Sequence, residues 1–224
     1  MSTWFDEDVA CVGCGIVQTA RLAHGIHASR APEVRAQLFA RTFHRIECRS
    51  CGLAFTGQRP LVYTDMERKH WLQVALANER PRWPELEVAT GEIFDRAFVG
   101  SPLVEDLYQG FKVRLVFGLE ELREKLVIWA GGLDDAVVEC VKAQLIVSEP
   151  RLARATSIVV DAVSPEQALV LTIDGTERVD ISAELVDEMH DPRLRTRFPE
   201  LFGGRFVSIH RLLGHRYRRV EPRA

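Results

Sequence analysis

No run of about 18 apolar residues occurs in this chain, so no membrane-spanning helix is expected. The N-terminus, Met1-Ser2-Thr3-Trp4-Phe5-Asp6-Glu7-Asp8, lacks a basic segment followed by an apolar one, so no secretory signal is read there. A cytoplasmic location is the simplest expectation. Glycine-rich phosphate loops are missing: Gly100, Gly110 and Gly118 are scattered, and Gly203-Gly204 lacks the rest of a P-loop or dinucleotide pattern. There is no Gly-x-Ser-x-Gly elbow. Low-complexity segments are also absent. Cysteine is scarce, at five residues, and in a reducing compartment spaced cysteines more often bind metal or do chemistry than form disulfides.

What is present suffices for a folded protein. The 224 residues allow one large domain or two small ones. The apolar fraction of 46% provides a core. Net charge is only −3, but it is unevenly spread. Residues 76–189 are acidic, whereas residues 190–224 carry nine arginines against three acidic side chains, a net +6.

The cysteines carry the clearest signal. Cys11-Val12-Gly13-Cys14-Gly15 and Cys48-Arg49-Ser50-Cys51-Gly52 are two Cys-x-x-Cys-Gly units. A Cys-x-x-Cys turn supplies two sulfurs, and two such turns complete a tetrahedral zinc shell. Glycine after each pair suits the sharp turn of a knuckle, because it reaches positive φ without a Cβ clash. The two units are further apart than the common spacing of about 15–20 residues, and the strand, helix and strand expected between them bring them together. A redox pair of the thioredoxin kind places its nucleophile at a helix N-terminus, but here strand-like residues follow each glycine. Four cysteines also leave no open position for a catalytic water. One structural zinc ion held by Cys11, Cys14, Cys48 and Cys51 is therefore expected. Cys140, on an apolar helix face, reads as a buried free thiol, and the seven histidines show no ligand-like spacing.

The pattern along the chain predicts an α+β fold. Strands are read at residues 16–23, 42–48 and 53–56, with a further short one at 61–63. Helices are read at 32–40, with Ser29 as its cap, and around 65–78. Arg80-Pro81-Arg82-Trp83-Pro84 reads as a break. A strand at 111–117 precedes helices at 119–130 and from Asp134 to about Ile146, with Gly131-Gly132 between them. Glu120-Glu121 and Asp134-Asp135 are read as helix-dipole partners. Three strands follow at 157–162, 168–173 and 177–181, Asp174-Gly175 marking a hairpin. Ser182 caps a helix over 183–190, and residues 205–210 read as a last strand. The expected division is a zinc-ribbon-like β domain with an inserted helix at 1–79, a mixed segment with a helical hairpin at 80–150, and a small α+β domain with a basic tail at 151–224.

Residues 11–71 resemble the CpXC-motif proteins of bacteria and archaea. The likeness rests on both cysteine pairs, on Ala31-Pro32-Glu33-Val34-Arg35 with Leu38, on Phe43, and on Pro60-Leu61-Val62-Tyr63-Thr64-Asp65. The stretch Leu119 to Val141, with Gly131-Gly132-Leu133-Asp134-Asp135, looks like the region that follows in longer members. Val12 and Arg49 stand where the family's name places proline; proline pre-sets a turn but ligates nothing. The resemblance implies a domain type and no activity.

No catalytic constellation is recognised, so no catalytic residue is assigned. The function expected is a binding or scaffold module, organised by structural zinc, that engages a protein partner. A second reading is nucleic-acid binding through Arg216, Arg218 and Arg219, where basic and aromatic residues mix. A third is an enzyme whose site lies in residues 85–224. No membrane partner is expected.

Overall fold

A computed structural model describes residues 2–98 and 108–217, the side chains of the last four excepted. The chain forms an α+β structure that divides into two compact units, Met1–Leu122 and Arg123–Ala224.

The first unit is built on a five-stranded sheet. Its strands are β1 (Thr3–Ala10), β2 (Val17–His27), β5 (Leu61–Asp65), β6 (His70–Ala75) and β7 (Lys112–Phe117), in that spatial order. β1 and β2 are antiparallel, β2 and β5 parallel, β5 and β6 antiparallel, β6 and β7 parallel. Between β2 and β5 the chain makes helix α1 (Pro32–Phe39) and a separate hairpin, β3 (Arg45–Glu47) with β4 (Ala54–Thr56). Val34 and Leu38 bury one side of α1, and Leu22, Ile26, Leu61, Tyr63 and Leu72 are buried along the sheet.

Residues 3–10, given no element by sequence pattern, form β1. The helix expected around 65–78 is instead a turn and strand β6. Trp71, Leu72, Val74 and Ala75 are all buried because β6 lies inside the sheet between β5 and β7. A strand covered on both faces loses the alternation that identifies strands in sequence. Residues 80–84 are helical rather than a break: a 3-10 turn, Ala77–Arg82, runs into α2 (Trp83–Phe98). Pro84 falls in the first turn of α2, where backbone N–H groups have no intrahelical partner to lose.

Ser29 does not cap α1, whose N-cap is Ala31. Its hydroxyl donates to Asp65 Oδ1 at 3.4 Å and accepts from the Met66 N–H at 3.1 Å. Asp65, fully buried, also accepts from the Arg68 N–H at 3.1 Å and closes the turn into β6.

Helix α3 (Gly118–Ala130) carries the chain into the second unit. There it pairs through Gly131-Gly132 with α4 (Asp135–Ser148). β8 (Ile158–Val163), β9 (Leu169–Ile173) and β10 (Glu177–Ile181) form an antiparallel meander. Asp174 and Gly175, both at positive φ, make the expected tight turn between β9 and β10. Helices α5 (Ala183–Glu188), α6 (Arg193–Arg197), α7 (Pro199–Gly203) and α8 (Ile209–Tyr217) follow, with Ser182 capping α5 as expected. Residues 205–210, expected as a strand, lead into α8 instead.

Inside this unit lies a group of buried charges that periodicity did not reveal. Lys142 Nζ reaches Glu124 Oε1 at 2.7 Å and Glu139 Oε1 at 3.0 Å. Lys125 Nζ reaches Asp135 Oδ2 at 3.2 Å, Glu139 Oε1 at 3.3 Å and the Val207 carbonyl at 2.6 Å. Backbone N–H groups complete the set: Val160 donates to Glu124 and Ile209 donates to Glu139. Buried charge is tolerated only when paired and hydrogen-bonded in this way. Asp135 thus belongs to an ion pair rather than serving the helix dipole alone, while Asp134 accepts the Ala136 N–H as N-cap. Burial pushes the Glu124 carboxyl up. At Glu139 burial acts in the same sense, but Lys142 and Lys125 outweigh it and hold the carboxyl down.

No helix among the described residues is long and apolar enough to cross a membrane.

Candidate metal centre

Each Cys-x-x-Cys unit is the tip of an antiparallel hairpin. The first joins β1 to β2 beyond the Ala10–Val17 pair, and the second joins β3 to β4 beyond the Glu47–Ala54 pair. The two tips repeat one backbone pattern. Cys11 N–H donates to the Ile16 carbonyl at 2.8 Å, and Gly15 N–H to the Cys11 carbonyl at 2.9 Å. Cys48 N–H donates to Leu53 at 2.9 Å, and Gly52 N–H to Cys48 at 2.9 Å. Gly15 and Gly52 take φ of 74° and 71°. That is the left-handed region the sequence spacing required of them.

The hairpins present their sulfurs to one another. All four Sγ atoms lie within 4.8 Å of each other and could hold a metal ion. Cys11 Sγ is 3.7 Å from Cys51 Sγ, and Cys14 Sγ is 3.6 Å from Cys48 Sγ. Cys11 and Cys48 are buried; Cys14 and Cys51 are exposed. Backbone N–H groups point at the sulfurs, as from Gly13 to Cys11 Sγ at 3.4 Å. The Cys51 N–H lowers the Cys48 thiol to about 6. At Cys51 the Leu53 N–H favours the thiolate, but the neighbouring thiols and burial outweigh it and push this thiol up to about 12. One thiolate therefore discourages the next, and a cation at the centre would relieve that repulsion.

A residue that sequence reasoning missed ties the hairpins together. Gln18 is buried on β2. Its Nε2 donates to the Glu47 carbonyl at 2.9 Å, and its Oε1 accepts the Arg49 N–H at 2.9 Å. One amide thus bonds to both flanks of Cys48. In sequence it is an ordinary glutamine near the start of a strand, with no signal of this role.

The remaining candidates lie elsewhere. Arg218 and Arg219 are outside the described residues, as is the side chain of Arg216. His24 pairs with Glu7 at 2.6 Å. His44 and His70 are buried, and burial lowers each to about 4. His44 Nε2 accepts the Ala23 N–H at 2.8 Å. Glu120 binds Arg41 at 3.0 Å, and Glu121 accepts the Phe117 N–H at 2.7 Å. Cys140 is buried, as expected, and burial raises its thiol to about 11.

Comparison with curated proteins and with solved structures found no match. A protein-family model, described as CpXC protein, matches residues 9–142. The match takes in both cysteine pairs, the helix between them, the Tyr63-to-Asp65 segment, α3 and the first part of α4. On that match, which covers more than half of the chain, the protein belongs to the CpXC family.

Proposed function

We propose that Cys11, Cys14, Cys48 and Cys51 hold one structural zinc ion, and that the zinc-ribbon-like hairpins form a rigid platform for a protein partner. Tetrahedral zinc–thiolate bonds of about 2.3 Å require sulfur–sulfur edges of about 3.8 Å. The edges of 3.6 and 3.7 Å between the hairpins agree with that geometry. Four sulfurs close the shell, so the ion organises structure and offers no site to a substrate water.

The observation that carries the partner reading is the apolar rim of this centre. Val12 is 78% exposed, and Ile16, Val17 and Leu53 are exposed with it. Apolar side chains gathered around a rigid metal turn, rather than scattered singly, mark an interaction surface. Affinity purification from the native host should recover a stoichiometric protein partner. Val12→Glu, which touches no sulfur, should lose that partner and keep its metal. Recovery of no partner, or of the same partner by both proteins, overturns the reading.

A further inference from the structure

The second unit contains a pocket of about 300 Å³, distant in sequence from the cysteine pairs. α4 forms one wall with Cys140 and Ile146; Met189, Phe198 and Leu212 close the others. The pocket is partly open to solvent, and about 300 Å³ is where pockets for small organic ligands begin. The walls are almost wholly apolar. The rim is not: Arg197 lines it, together with Gln144.

Arg197 is exposed, and its guanidinium stacks on Phe198 at 5.2 Å. It has no carboxylate partner among the described residues, whereas Arg193 on the same helix pairs with Asp191 and Arg195 reaches Asp134 at 3.8 Å. Its charge is also felt at the cavity wall, where it favours the Cys140 thiolate against burial and nearby acids. An apolar pocket with one cation at its mouth that pairs with no described carboxylate matches a ligand with an aliphatic body and a single anionic end. A guanidinium binds carboxylate by charge-assisted hydrogen bonds. The apolar body supplies the burial energy and the carboxylate sets the orientation.

We infer that this cavity is a binding site for a free aliphatic carboxylate of medium chain length, held by Arg197 at the rim and by the apolar walls beneath. Decanoate is the probe, titrated calorimetrically into the full-length, metal-loaded protein, with decanol as the uncharged comparison. Saturable binding at one site is expected, with decanol weaker. Arg197→Gln should weaken decanoate by about tenfold, the usual scale of a hydrogen bond to a charged group, and leave decanol unchanged. Val147→Glu, at an exposed position of the same rim, should repel decanoate without disturbing the fold. Three results overturn the inference: no saturable binding, decanoate binding indifferent to Arg197→Gln, or association with phosphatidylglycerol vesicles in place of decanoate.

Discussion

Cys11 Sγ lies 3.7 Å from Cys51 Sγ, the two sulfurs coming from different hairpins, one buried and one exposed. The same relation holds between Cys48 and Cys14 at 3.6 Å. Each hairpin thus contributes an inner and an outer sulfur to the cluster, so neither hairpin alone would supply four ligands to the proposed ion.

Elemental analysis of the purified protein should give about one zinc per chain. Cys14→Ser and Cys51→Ser should each lose the metal and lower the stability of the first unit, since structural zinc contributes folding free energy directly. Both thiols are exposed, so loss of stability on substitution reports the metal and not a packing void. A chelator-treated protein with an unchanged thermal transition would contradict the assignment.

Gly15→Ala and Gly52→Ala should each cost about 1–2 kcal/mol, the penalty of placing a Cβ in the left-handed region. An added Cβ meets nothing within 4 Å at either position, so the cost is conformational. Gly131→Ala is different: its Cβ would stand 2.5 Å from Val163 Cγ1. Overpacking there should cost about 1–3 kcal/mol. Urea unfolding of the three variants checks these values.

Lys142→Met should destabilise the second unit by about 3–5 kcal/mol, because Glu124 loses its ammonium partner inside the core. Glu139 keeps Lys125 and the Ile209 N–H. Lys142→Met combined with Glu124→Gln should be more stable than Lys142→Met alone. A double variant no better than the single one would show that packing, and not charge, sets the cost.

Acid should weaken the first unit before its carboxylates titrate. His44 and His70 are held near 4, below their ordinary 6.5, chiefly by burial. Each is a base whose folded-state value is depressed, so its contribution is full above 6.5. It is lost as pH falls from there towards 4, where the unfolded chain binds a proton that the folded chain refuses. Protonated His44 could no longer accept the Ala23 N–H. Urea midpoints measured across that window should fall with decreasing pH, at most by one bound proton per histidine. Replacing both histidines with glutamine should flatten the slope.

The cysteine cluster was legible because its rules are local. Two cysteines three apart and a glycine behind them define a turn whatever surrounds it, and both glycines take the positive φ which that turn demands. Asp174-Gly175 was legible for the same reason. The α3–α4 hairpin could be read because a strong apolar pattern is bounded by Gly131-Gly132 and by the cap at Asp134. β6 could not, since burial on both faces erased its alternation. Gln18 and Ser29 could not, because their partners are 29 and 36 residues away.

The sequence by itself thus determined the α+β class, the four cysteines, their backbone turns and the family. Each depends on interactions within a few residues, or on a pattern that burial on one face preserves. Tertiary structure alone decided that Gln18 joins the two hairpins and that β6 is a strand. It also decided that Glu124, Lys125, Asp135, Glu139 and Lys142 form one buried set. A charged residue on a helix reads as solvated until its partners are known. Burial makes those partners obligatory, and no local pattern names them.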